Sequence, residues 1–210
     1  MRILTFLIFT AFSFHAVAQE NYLFPEFTQA QIYYKENMVP AELNYNLFTS
    51  YMMSVDKKNK LRNLERINEI EYISAGKYTF VPLKDNTFGV VVYDGDLILA
   101  IKYTGNIQKT EGDKSISKSA LNKLLNAGEA LPSGITIIKD SSYYFYKPRT
   151  GNKTFYLPGV NVEKANYIGI IKLFAKHKTE IDTFIREKEI DFSSFDHLKQ
   201  LVQFCENFIE

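Results

Sequence analysis

Val90-Val91-Val92-Tyr93-Asp94-Gly95-Asp96-Leu97-Ile98-Leu99-Ala100-Ile101 reads as two apolar, β-branched runs folded on a turn. Aspartate and glycine both tolerate positive φ, so Asp94-Gly95 is expected to form a two-residue type I′ turn, whose twist matches the flanking strands. A hairpin here, with similar runs on either side and no helical period between them, makes the first half of the chain an antiparallel sheet.

Outward from the hairpin the same grammar repeats. Upstream, Ile32-Tyr33-Tyr34 and Ala41-Glu42-Leu43-Asn44-Tyr45 flank Glu36-Asn37, and Tyr51-Met52-Met53-Ser54-Val55 leads into the polar run Asp56 to Lys60. Ile70-Glu71-Tyr72-Ile73 turns through Ala75-Gly76 into Tyr78-Thr79-Phe80-Val81, which Pro82 closes. Residues 29–103 therefore predict a meander of about eight strands. Downstream, the polar stretch from Asn106 to Ser115 reads as a loop, and a short helix is expected near 117–126, stopped by Gly128. Ile135-Thr136-Ile137-Ile138 and Tyr143-Tyr144-Phe145-Tyr146, joined by Asp140-Ser141, and then Thr154-Phe155-Tyr156 read as three more strands.

After Pro158-Gly159 the hydrophobic period lengthens to that of a helix. Ala165, Ile168, Ile171 and Phe174 mark one helix, and Ile181, Phe184 and Ile185 a second. In the last helix Ser193 is the expected cap, with Asp196 three residues on. Phe195, Leu198, Leu201, Val202, Cys205, Phe208 and Ile209 form its apolar stripe.

Leu23-Phe24-Pro25-Glu26-Phe27-Thr28, Leu43-Asn44-Tyr45-Asn46 and Tyr78-Thr79-Phe80-Val81-Pro82 resemble a group of uncharacterised exported Bacteroidetes proteins. The tail from Lys172-Leu173-Phe174 through Ile190-Asp191-Phe192 to Leu198 and Val202 is similar to tails common in that group. The resemblance implies export and a β-plus-helix layout. It carries no activity and no site residue.

The beginning of the chain agrees with export. Arg2, the apolar run Ile3 to Phe12 and the small residues of Ala16-Val17-Ala18 read as a cleavable signal peptide, 1–18. The apolar run is shorter than the roughly 20 residues of a membrane-spanning helix, and no cysteine follows Ala18 to take a lipid. Of the 210 residues the leader carries one basic side chain, Arg2, and no acidic one, which leaves 24 basic against 24 acidic in the mature chain. Such neutrality argues against capture of nucleic acid or an anionic membrane surface. The lone cysteine, Cys205, forms no intramolecular disulfide, so packing must supply the stability.

Signatures of catalysis are missing: there is no Gly-x-Ser-x-Gly elbow, phosphate loop, His-Glu-x-x-His or Cys-x-x-Cys. His177 beside Glu180 and Asp182 gives too few ligands for a structural zinc site. His197 sits off the apolar stripe and is expected to be solvent-exposed. Cys205 lies eight residues from His197 on one helix, about 12 Å along the axis, so the two cannot work as a pair. Asp94 and Asp96 flank a turn glycine, where aspartate is favoured for backbone reasons alone.

Ser142-Tyr143-Tyr144-Phe145-Tyr146-Lys147-Pro148-Arg149 is the most suggestive patch. Strand alternation places Tyr144 and Tyr146 on one face, and with Arg149 they offer flat rings and a planar donor fork to a carbohydrate or other polar ligand. The competing reading is a strand with one aromatic face in the core and the other half-covered.

The expected fold is α+β: an antiparallel β-meander, as a curled sheet, sandwich or open barrel, followed by a C-terminal unit of two or three helices. The β-rich body spans 19–158 and the helical unit, packed on it, 159–210. The expected function is a non-catalytic exported binding or structural/interaction protein of the cell envelope, whether periplasmic, outer-membrane-associated or extracellular. The alternatives are a barrel-like carrier of a small apolar ligand and a small hydrolase. No cofactor, metal or catalytic residue is assigned; the expected partner is carbohydrate or another envelope protein.

Overall fold

The computed structural model describes residues 22–34, 37–56, 60–109, 135–147 and 161–209. The expected signal peptide 1–18, the helix expected near 117–126, the strand expected at Thr154-Phe155-Tyr156 and the candidate Arg149 lie outside them.

Ten strands make one antiparallel sheet: β1 Thr28–Tyr34, β2 Met38–Tyr45, β3 Met52–Val55, β4 Leu61–Asn63, β5 Ile70–Ala75, β6 Tyr78–Pro82, β7 Phe88–Tyr93, β8 Ile98–Lys109, β9 Ile135–Tyr146 and β10 Val162–Lys164. Their order is β10-β9-β8-β7-β6-β5-β1-β2-β3-β4, so two meanders join where β5 returns beside β1. The fold is the expected α+β meander, with the sheet curled but not closed. Alternation assigns its faces: Ala30 and Ile32 of β1 are buried while Gln29 and Gln31 between them are exposed.

Cross-sheet bonds measure the curl. Tyr45 at the end of β2 donates its hydroxyl to the Phe88 carbonyl on β7, 2.8 Å away. Those strands stand four places apart in the sheet, or about 19 Å on a flat one. The connection after β2 closes the gap: Phe88 N–H donates to Ser50 O at 2.9 Å, and the Ser50 hydroxyl donates to the Tyr103 carbonyl. Inside the curl, Leu43, Tyr45, Met52, Ile70, Ile73, Phe80 and Phe88 pack into one core. Asn44, also buried, ties down the chain before β1. Its carboxamide accepts from Phe24 N at 3.1 Å and donates to Phe24 O at 2.9 Å.

Three helices follow: α1 Tyr167–Leu173, α2 Lys178–Glu187 and α3 Phe195–Glu206. They pack on the concave face at one end, where Leu198, Leu201, Val202 and Cys205 of α3 and Ile181 of α2 meet Leu97, Leu99 and Phe145. Among the described residues, no helix is long and apolar enough to cross a membrane.

Five local expectations are corrected. The β7–β8 hairpin does not turn on two residues, since its last pair is Tyr93↔Leu99 and Gly95 does not take positive φ. Glu206 reshapes this loop, accepting from Tyr93 Oη at 3.0 Å and Leu97 N at 3.3 Å. The tight two-residue turn is at Gly76-Lys77, between the pair Ala75↔Tyr78, where Gly76 takes φ +58°. Asp140-Ser141 is not a turn, and Asn106 does not open a loop. Asp140 pairs with Thr104, Ser141 with Tyr103 and Asn106 with Ile138, inside a continuous ladder from Ile98↔Tyr146 to Lys109↔Ile135.

The cap of α3 is Ser194, whose hydroxyl accepts from His197 N, and Ser193 instead donates to Asp191. In α1 the buried side is Gly169, Ile170 and Phe174, with Ile168 64% exposed. A Cβ on Gly169 would come within 2.0 Å of the Lys164 carbonyl, so the glycine sets which side of the helix meets β10.

Candidate functional site

The convex face opposite the helices carries its own small cluster of Val81, Leu83, Ile98, Ala100, Tyr146 and Val162. Tyr144 and Tyr146 share this face, as alternation requires. Tyr144 stands between Ala100 of β8 and Lys164 of β10, and Tyr146 between Ile98 and Val162. Tyr146 is 1% exposed, whereas Tyr144 is half-buried at the edge of the cluster. Tyr143 and Phe145 face the other way, toward the helices. The structure thus brings Tyr144 and Tyr146 onto one face but presents only the first to solvent.

The connection between β6 and β7 folds back over this face. Leu83 inserts above Gly89 and Ala100, and a Cβ on Gly89 would lie 3.0 Å from Leu83 Cδ1 and 3.2 Å from Ala100 Cβ. The smallest side chains on the sheet make room for the loop. Leu83 N–H donates to Thr87 O at 2.7 Å, and the Thr87 hydroxyl donates to Lys84 O at 2.8 Å. Between them Asp85 and Asn86 take φ of 62° and 58°, left-handed backbone that non-glycine residues adopt at a cost. Lys84 reaches Glu163 on β10 at 3.2 Å, and Lys172 of α1 meets the other oxygen of that carboxylate at 3.5 Å.

Under the loop, Asp85 acts on two side chains. Burial, with a smaller contribution from the Asp85 charge, pushes the Tyr144 phenol above its ordinary value. Burial lowers the Lys102 ammonium, and Asp85 opposes that shift. Lys102 lies two residues along β8 from Ala100, the partner of Tyr144, so a half-buried aromatic ring and a partly desolvated cation share this face, with the Asp85 carboxylate in the loop beside them. The face offers a stacking surface, hydrogen-bond donors and an acceptor to a polar ligand.

The other singled-out side chains have structural partners. Cys205 is fully buried, and burial pushes its thiol up to about 12. His177 stacks on Phe208 at 4.2 Å and lies 3.8 Å from Glu180. His197 is not simply exposed as expected: its Nδ1 accepts from Asp191 N at 3.0 Å and closes the turn before α3. Among the described residues, no three His, Cys, Asp or Glu side chains gather as a metal would require.

Sequence reasoning found Tyr144 and missed Asp85 and Lys102. A lone lysine inside the apolar run Ile98 to Tyr103 was the available signal for Lys102. Asp85-Asn86 announced a loop but not its course across the sheet. The chain matches no protein-family model, no curated protein and no solved structure.

Proposed function

We propose that the mature chain is a non-catalytic, exported binding protein of the cell envelope, and that it holds a polar ligand, a carbohydrate first of all, at the convex face around Tyr144. The observation supporting this is the placing of the half-buried Tyr144 ring and Lys102 on one face of the sheet, beside a loop whose Asp85 and Asn86 take left-handed backbone. Strain of this kind persists where surrounding contacts over-determine it, and it clusters at binding sites. Among the described residues, the helices pack on the opposite face. The leader-like residues 1–18 support export.

A glycan array probed with the mature parent, Tyr144→Ala and Lys102→Met tests the reading, with melting temperatures taken in parallel. The parent should retain a defined set of glycans. On at least one glycan of that set both variants should lose signal by about five- to a hundredfold, a stacked ring contributing about 1–3 kcal/mol, while melting close to the parent. No glycan signal from the parent, or turnover of ester, peptide or glycoside substrates, would overturn it.

A further inference from the structure

A second part of the convex face, between β1, β2 and β5, has a different lining. Gln29, Ala30, Gln31, Pro40, Ser74 and Gly76 bound a groove of about 350 Å³, near the lower end of the roughly 300–1,000 Å³ usual for small-ligand sites. The register explains it. Gln31 stands opposite Pro40 on one side and Ser74 on the other, so low side chains flank a long carboxamide.

None of the six lining residues ionises; Glu42 stands opposite Gln29, and Lys77 follows Gly76 in the turn. Along the same face, Tyr33 and Tyr72 are cross-strand partners whose rings stack at 4.2 Å and 12°. The Tyr33 hydroxyl donates to Gln31 Oε1 at 2.6 Å, which fixes the carboxamide and leaves its nitrogen as the donor end. Carboxamides and hydroxyls both give and accept hydrogen bonds, as vicinal sugar hydroxyls do, and the C–H face of a sugar ring is complementary to an aromatic surface. A lining without charge gives no electrostatic hold on an ion.

We propose that this groove binds a neutral saccharide, its hydroxyls meeting Gln29, Gln31 and Ser74 and its C–H face turned to the Tyr33–Tyr72 pair. This rests on the reading of the chain as a binding protein, but not on Tyr144.

Isothermal titration of the mature protein with neutral gluco-, manno-, galacto- and xylo-oligosaccharides, and with an oligogalacturonate as the charged counterpart, tests it. A neutral oligosaccharide should bind, and the oligogalacturonate at least tenfold more weakly. Gln29→Ala and Gln31→Ala should each weaken that binding about three- to tenfold, and Ile168→Ala, on the exposed side of α1, should leave it within twofold. Both glutamines are exposed, so the melting temperature should hold; should Gln31→Ala destabilise, Gln31→Glu keeps the shape, adds a charge and should give the same loss. Neutral binding undiminished in the double glutamine variant, or abolished by Tyr144→Ala alone, removes the groove and leaves the binding function standing. Failure of every saccharide removes both.

Discussion

A methyl group on Gly95 would lie 1.9 Å from Glu206 Oε1 and 2.6 Å from Tyr93 Cε1. Space rather than backbone freedom is therefore what this glycine supplies. A carboxylate at a helix C-terminus opposes the helix dipole, and Glu206 is held there by Tyr93 Oη and Leu97 N. Gly95→Ala should destabilise by about 1–3 kcal/mol, and the loss should shrink when Glu206 is also Ala, a coupling that a double-mutant cycle in urea would show. On β9, Tyr146→Ala should cost about 3–5 kcal/mol as a buried aromatic, a fall of about 6–20 °C in melting temperature for a chain of this size; Tyr144→Ala should cost less than half of that. Equal losses would place both rings in the core.

Cys205 provides the pH-dependent case. Burial pushes its thiol up to about 12, from an ordinary value of 9.0. Because the folded value is the higher, its stabilising contribution is complete below pH 9 and declines as pH rises from there toward 12. At pH 8 a thiol reagent should leave native protein unlabelled and add one equivalent in denaturant. Rapid native labelling would contradict the burial.

At the scale of elements, α3 fixes the concave end of the sheet. Four fully buried side chains, Leu198, Leu201, Val202 and Cys205, line it; burying each of the larger ones gives about 1.5–3 kcal/mol before entropy is counted. Deleting residues 193–210 should give an aggregating or molten product in circular dichroism and dye binding. A cooperative melt unchanged by the deletion would make the helix an appendage. This stripe was legible in sequence because a helix packed on a sheet keeps its period wherever one side is dry.

Ile135 to Ile138 read as a strand, but the continuity of β9 through Asp140-Ser141 and the run of β8 past Tyr103 were not legible. There the ribbon carries Asn106, Asp140 and a 49%-exposed Ile138. Exposed Asp140 and Ser141, and Asn106 across the ladder, interrupt the apolar alternation, and such polar residues resemble a turn. The candidate site divides in the same way. Tyr144 follows from alternation within one strand, whereas Asp85 reaches it only because Gly89 and Ala100 let Leu83 settle on the sheet, a relation between three separate elements.

Across the whole molecule, the curl divides the work of the two faces. The concave side encloses the main core and seats the helices; the convex side keeps a small cluster under the Leu83 loop and leaves Tyr144, Lys102 and the Gln29–Gln31 groove within reach of a ligand. A near-neutral chain has little long-range field to steer a charged partner, so in the proposed reading recognition rests on short-range stacking and hydrogen bonds. The most direct measurement is amide chemical-shift mapping of the labelled mature protein, titrated with the glycan it retains most strongly on the array. Shifts should concentrate on β1, β5, β8, β9 and the 83–87 loop, with α2 and α3 unmoved. Shifts confined to the helices, or saturating shifts on the core strands without the convex residues, would contradict a convex binding face.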